Sequence, residues 1–270
     1  MTTRKRWIRH LQQQIEQIDA AQQRARHSEG VEELHQLRVQ LRSVRIQLLP
    51  VARHGKLHAA RAALSLMSDA SNVLRDRDVM LELVADWPAP YAQEARQLIE
   101  GRAPDLRTAR TALLPSGWAA QMGTLPQVLR HEVPPGAALQ RKIRQTARKY
   151  RRQARAELHA LAPHCAPELW HRTRITLKKV RYLHEALGDW LPRRWQGLSK
   201  QAKPAQDALG YLHDLDVLQQ HYGASFSAAL NGYWQSQRAA ALADAEMAAT
   251  RVLRALHGGK PGKALREDLA

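Results

Sequence analysis

Leu34, Leu37, Leu41, Val44 and Leu48 step by three and four residues, the stripe of an amphipathic helix and not the alternation of a strand. Polar positions fill the turns between them. β-branched runs are scarce, and Ala, Leu, Gln, Arg and Glu, all good helix formers, dominate. The pattern predicts helices near 3–27, 31–49, 56–86, 89–114, 137–162, 166–188, 195–221 and 225–257. Gly30, Pro50, Gly55, Pro88, Pro90, Pro163, Pro167, Pro192 and Gly223 supply most of the stops. The segment 115–136 holds four Pro and three Gly, which predicts a linker. The end, 258–270, is rich in Gly and Lys and is expected to be a flexible tail. The expected class is all-α.

An internal repeat organises these elements. The stretch from Leu34 to Arg45 recurs from Trp170 to Arg181, with His35 and His171 at equivalent places. Leu74-Arg75-Asp76-Arg77-Asp78-Val79 recurs as Leu212-His213-Asp214-Leu215-Asp216-Val217. The first pair is offset by 136 residues and the second by 138, so two residues are inserted between the motifs of the second copy. The same order at nearly the same spacing predicts a duplication. Its halves are 1–114 and 137–257, each with about four helices. Short connections make neighbours antiparallel, so each half is expected to be a four-helix bundle.

Charge changes the picture next. Lys plus Arg number 42 against 25 Asp plus Glu, a formal balance of +17, which points to an anionic partner. His35, Arg38, Arg42 and Arg45 fall within an arc of about 80° on one helix, centred about 100° from the apolar stripe. They flank the core, where a neighbouring helix can form the wall of a groove. His171, Arg174, Lys178 and Arg181 repeat the arrangement. A third stripe runs through Arg141, Arg144, Arg148, Arg151 and Arg155, in a stretch with eight Lys or Arg in 15 residues and no acid. Like charges at helix spacing repel by a few tenths of a kcal/mol per pair, roughly, and call for an external counter-charge. One basic face alone is ordinarily a solvated face. Three faces, two with a His in register, favour an anion site. Asp76, Asp78, Asp214 and Asp216 are expected to brace arginines by charge-assisted hydrogen bonds and not to bind metal. The tryptophans at 87, 118, 170, 190, 195 and 234 share no spacing and read as core or cap residues.

The single cysteine, Cys165, excludes an internal disulfide, and no apolar run reaches the length of a membrane span. The stretch from Met1 to Gln14 lacks the apolar core of a signal peptide. A cytoplasmic protein without a membrane partner is expected.

The motif His-x-x-Arg-x-x-x-Arg-x-x-Arg followed by Leu-x-Asp-x-Asp-Val, and its second copy with Lys178-Lys179, Arg181-Tyr182 and Glu185, resembles the CHAD family, the conserved histidine α-helical domains. Gln206-x-x-Leu209-Gly210 ahead of His213-Asp214 is similar to the family pattern as well. The resemblance spans about residues 5–255. It implies two antiparallel four-helix bundles related by a pseudo-two-fold. It also implies a basic channel, lined from both halves, that binds inorganic polyphosphate without catalysis or cofactor, and it makes polyphosphate granules a place to look for the protein. By resemblance the binding residues are His35, Arg38, Arg42, Arg45, His171, Arg174, Lys178 and Arg181, and Lys179 with Arg141, Arg144, Arg148, Arg151 and Arg155 is expected to join them as polyphosphate contacts. Ser43 departs from the pattern, since a second basic residue often follows the position of Arg42. No triphosphatase-like domain of the kind sometimes attached to the family is legible.

Two other functions compete. A nucleic-acid binder would use the same charge, but the stripes lack interleaved aromatics for stacking and no zinc-finger, helix-turn-helix or RNP signature is present. A metal-dependent phosphohydrolase would use His213-Asp214, but the first copy has Arg75-Asp76 there. There is also no phosphate-cradling Gly-rich loop and no zinc spacing.

Overall fold

The computed structural model describes residues 3–27, 31–102, 111, 113, 117–162, 164–195 and 197–257. Every regular element among them is helical: α1 (Thr3–His27), α2 (Val31–Leu48), α3 (Gly55–Ala85), α4 (Ala89–Gly101), α5 (Trp118–Glu132), α6 (Gly136–Ala160), α7 (Pro167–Leu187), α8 (Leu198–Tyr222) and α9 (Ala228–Leu256). Short 3₁₀ turns at Gly188–Trp190, Arg193–Trp195 and Gly223–Ser225 join the later helices. No helix among the described residues is long and apolar enough to cross a membrane. The expected tail, 258–270, and the end of the helix expected at 89–114 lie outside the described residues.

The chain divides into two compact units. Unit 1 comprises 1–146 with 221–230, and unit 2 comprises 147–220 with 231–270. The division falls inside α6, ten residues later than the expected start of the second half at 137. Arg141 and Arg144 therefore belong to unit 1, whereas Arg148, Arg151 and Arg155 belong to unit 2.

In unit 1, α1 packs on α2, α2 on α3, α3 on α4 and α5, and α5 returns to α1. Leu34, Leu37, Leu41, Val44 and Leu48 are all buried, as the spacing of α2 predicts. Trp7, Leu11, Ile15 and Ile18 of α1 are buried as well. Each fully buried side chain of this size contributes about 1.5–3 kcal/mol.

Helix α5 occupies the segment expected to be a linker. Trp118, Met122, Leu125, Val128 and Leu129 form a buried face there, and that burial outweighs the Pro and Gly content. Pro126 costs the helix one backbone donor but sits on the partly exposed side. Both ends of α5 do structural work. Trp118 donates its indole N–H to Asp19 of α1 at 2.9 Å. Glu132 accepts from the backbone N–H groups of Lys56 and Leu57, each at 3.2 Å, and so caps the start of α3 from another helix. Gly55 makes this approach possible. Its φ is +71°, and a Cβ there would meet Glu132 Oε2 at 3.2 Å. Arg4 adds bonds to the carbonyls of Val133 and Arg130.

In unit 2 the polar contacts run round α6, α7, α8 and α9. Gln153 of α6 donates to Thr176 of α7 at 3.2 Å, and Glu157 meets Arg172 at 3.5 Å. His171 of α7 meets His213 of α8 at 3.1 Å. Trp234 of α9 donates to the Leu215 carbonyl at 2.9 Å, and Arg238 meets Asp216 at 2.6 Å. His257, just past α9, meets His159 of α6 at 3.3 Å.

Candidate functional site

In unit 1 the basic stripe of α2 faces α3. Arg38 donates through Nη1 to Ser71 Oγ at 2.7 Å and to Asn72 Oδ1 at 2.9 Å. Ser71 is fully buried and donates its own hydroxyl hydrogen bond to the Ser68 carbonyl. Burial lowers the Arg38 pKa to about 10, with Arg75, Arg42 and Arg45 adding to the fall and Asp76 opposing it. The guanidinium is still charged at neutral pH. Arg45 is also lowered, chiefly by burial, with Asp69 raising it and Arg61 lowering it. Lost hydration raises Asp76, against the pull of Arg38, Arg75 and His221. Arg42 is half-buried and His35 is exposed. Arg38, Arg42 and Arg45 of one helix and Arg75 of the next thus lie in one electrostatic neighbourhood, and the Asp76 carboxylate opposes their charge at Arg38.

In unit 2 the stripe of α7 faces α8. Arg174 Nη2 lies 3.9 Å from Asp214 Oδ1, an ion pair too long for a hydrogen bond. Its Nε sits 3.8 Å from where a Cβ on Gly210 would stand, an ordinary contact distance. His171 and His213 approach Nδ1 to Nδ1 at 3.1 Å, with ring centroids 4.4 Å apart. Burial, then Arg174, His171 and Lys178, hold His213 down at about 3. Partial burial, then Arg174 and Lys178, lower His171. The groups that depress both imidazoles are stripe residues, so stored positive charge is the common cause after desolvation.

The rest of the expected set is dispersed. Lys179 places its ammonium 5.3 Å from the Tyr150 ring of α6. Arg181 pairs with Glu185 at 2.7 Å and lies 5.2 Å from the Tyr182 ring. Arg151 stacks on Trp195 at 4.7 Å, and Arg148 approaches the same ring at 6.0 Å. Arg141 and Arg155 are exposed and Arg144 is half-buried. Trp195 is core, as expected, and is also a platform for two arginines, which its lack of spacing with other tryptophans hid. It lines a cleft of about 280 Å³ with His184, Glu185 and Asp189, none of them a stripe residue. Of the four Asp, Asp214 meets the stripe residue Arg174, and Asp76 acts on Arg38 through charge. Asp216 holds Arg238 of α9 instead, outside every stripe. Asp78 is half-buried. No group of three or more His, Cys, Asp or Glu able to hold a metal exists among the described residues.

Ser71, Asn72, Arg75, Gly210 and His213 complete the two clusters, and the stripes alone did not include them. The signal was available in the repeat. Asn72 and Gly210 differ by 138 residues, as do Arg75 and His213, so they are equivalent positions with different chemistry.

The CHAD domain model matches residues 9–223. Among solved structures, the CHAD domain from the plant Ricinus communis is similar, with 22% identity and a TM-score of 0.67 over 95% of this chain and 92% of that one. PptA from Streptomyces chartreusis is similar too, with 19% identity and a TM-score of 0.64 over 95% of this chain and all of that one. No curated protein matches the chain in sequence. Identities this low establish the fold alone, but the family match covers most of the length, with both His-Arg stripes and both Asp motifs inside it. The chain belongs to the CHAD domain family.

Proposed function

We propose that the protein is a non-catalytic binder of inorganic polyphosphate, and that the stripes of α2 and α7 are its contact surfaces. The observation that carries this reading is that α2 gathers Arg38, Arg42 and Arg45 beside Asp76 of α3, and α7 gathers His171, Arg174 and Lys178 beside His213 and Asp214 of α8. Each cluster keeps more cations than carboxylates. Polyphosphate offers closely spaced anionic oxygens and no base edges. Arrayed guanidinium, ammonium and imidazole donors suffice to recognise it, and arginine can grip its oxygens bidentately. The pairing of Arg151 with Trp195 supports this choice over a single-stranded nucleic acid, because that ring is already stacked by a guanidinium.

A duplicated architecture of two four-helix halves accompanies the proposal. The 136-residue repeat supports it, as do the packing of α1 on α2, α2 on α3 and α3 on α4, and the polar contacts that run round α6, α7, α8 and α9. A basic channel lined from both halves would let one long chain engage both stripes, each raising the effective concentration for the other.

Calorimetry with polyphosphates of defined length, repeated in competition with DNA at one ionic strength, tests the reading. Polyphosphate should displace DNA, and affinity should rise with chain length. Log K should fall linearly with log[salt], by about 0.7 per phosphate neutralised on the analogy of single strands. DNA displacing polyphosphate would support the nucleic-acid reading instead. Magnesium- or manganese-stimulated release of orthophosphate would show an enzyme.

A further inference from the structure

His213 lies outside the stripes, yet its ring meets the stripe residue His171 across the α7–α8 boundary. The two imidazoles face each other through Nδ1 at 3.1 Å. Two ring nitrogens at that distance share one proton, so one ring donates and the other accepts. The consequence for the far side of each ring follows from tautomer counting. The ring that donates through Nδ1–H has a bare Nε2 lone pair. The ring that accepts at Nδ1 carries its proton on Nε2. A neutral pair therefore offers one outward donor and one outward acceptor. A phosphate chain with its charges ionised has acceptors only. One added proton on the bare Nε2 leaves the Nδ1–H···Nδ1 bond intact and turns both outward nitrogens into donors, one bearing positive charge.

Burial first, and then the surrounding charges, keep that proton off while the site is empty. From α7, Arg174 and Lys178 act on the pair. From α8, Asp214 stands beside His213 in sequence but is directed to Arg174. From α6, Glu157 is engaged with Arg172, and from α9, Arg238 is engaged with Asp216. A polyanion laid on Arg174 and Lys178 would neutralise the charges that repel the proton. The first copy has no such device, because Arg75, permanently charged, stands where the second copy has His213.

We propose that the His171–His213 pair takes up one proton when a polyphosphate binds the α7 stripe, and that His213 is a further phosphate-contacting residue through this shared proton. This rests on the polyphosphate reading above. Binding to unit 2 then tightens in mildly acidic solution, whereas unit 1, with Arg75 at the position of His213, has no equivalent imidazole pair.

The experiment is titration calorimetry of the full chain with long-chain polyphosphate, in two buffers of different ionisation enthalpy, at about pH 6 and about pH 8 on either side of the ordinary histidine value. Wild type is compared with the double variant His171→Asn, His213→Asn, whose amides retain polar atoms near the Nδ1 positions. Protons taken up by the terminal phosphates of the ligand, whose second pKa is near 6, are common to both and cancel. Wild type should take up close to one proton more than the variant at the lower pH and none more at the higher. Its affinity advantage should grow by up to about tenfold per pH unit across that interval, the limit for one linked proton. Equal uptake by the two proteins would overturn the inference and leave the polyphosphate reading standing. No binding by wild type at either pH would overturn both. Should the double variant fail to fold, NMR titration of the wild-type imidazoles decides. The pKa of His213 should rise on adding polyphosphate, and an unchanged value would overturn the proposal.

Discussion

The two basic stripes are written in almost the same residues, yet the structure treats them differently. In unit 1, Arg38 is fixed by two neutral acceptors, Ser71 and Asn72, and its cluster carries the permanent charge of Arg75. In unit 2, Gly210 replaces Asn72, Arg174 approaches Asp214 only at 3.9 Å, and His213 replaces Arg75. The next layer differs in the same way. Ser43 bonds with Gln14 and Gln47, a neutral network between α1 and α2. The equivalent residues 136 positions on are Lys179 and Tyr150, where an ammonium lies over a phenol ring. One copy is thus braced by neutral acceptors beside the permanent charge of Arg75, and the other holds a titratable imidazole pair and is braced by an aromatic ring. A duplicated motif fixes where cations stand along a helix. The facing helix decides how tightly each is held and whether its charge depends on pH.

The largest expected stability difference comes from Arg38→Met against Arg174→Met. The first leaves Ser71 Oγ and Asn72 Oδ1 short of a donor in a partly buried place and should cost about 1–3 kcal/mol. The second removes a part-buried ion pair that is beyond hydrogen-bond length and should cost less. Chemical denaturation of each variant measures the gap, and equal losses would erase the distinction between the two sites.

Acid should separate them next. His213 is held near 3 in the folded chain, so between that value and the ordinary histidine pKa the unfolded state binds the extra proton. Its contribution to stability is complete above the ordinary value and declines as pH falls toward about 3. Thermal unfolding followed from neutral to mildly acidic pH should show a shallower decline for His213→Asn than for wild type. A parallel decline would place the acid-sensitive group elsewhere.

Smaller effects should follow at the second layer. Tyr150→Leu removes the ring under Lys179 and should lower stability by about 0.5–1 kcal/mol beyond the change in apolar area, which a double-mutant cycle with Lys179→Met would isolate. Gly210→Ala should raise stability by about 0.5–1 kcal/mol, since the position is helical and a Cβ would stand in ordinary contact at 3.8 Å. A loss there would mean that Arg174 needs the space.

Much of this was legible in the sequence. The α2 apolar stripe, the all-helical class, the repeat and the family all follow from spacing, because helix periodicity and motif order are local properties. The segment 115–136 was not legible as a helix. Its Pro and Gly argue for a break, and only the packing of Trp118, Met122, Leu125 and Leu129, with the Glu132 cap on α3, overrides that preference. The partners of Arg38 and Arg174 were hidden for a related reason. Spacing along α2 and α7 says nothing of their register against α3 and α8. The expectation that the Asp motifs brace stripe arginines met the same limit, and Asp216 turned out to hold Arg238 of another helix.

The central claim is that the two stripes bind polyphosphate. Its most direct test is the affinity of long-chain polyphosphate for wild type, for Arg38→Glu with Arg42→Glu, for Arg174→Glu with Lys178→Glu, and for all four changes together, at one ionic strength and pH. Circular dichroism would confirm that helix is retained, as expected for residues that flank the core. The account predicts a loss of about tenfold or more for each pair, following the loss of phosphate contacts, and a larger loss when all four are reversed. A folded quadruple variant that binds polyphosphate as wild type does would contradict it.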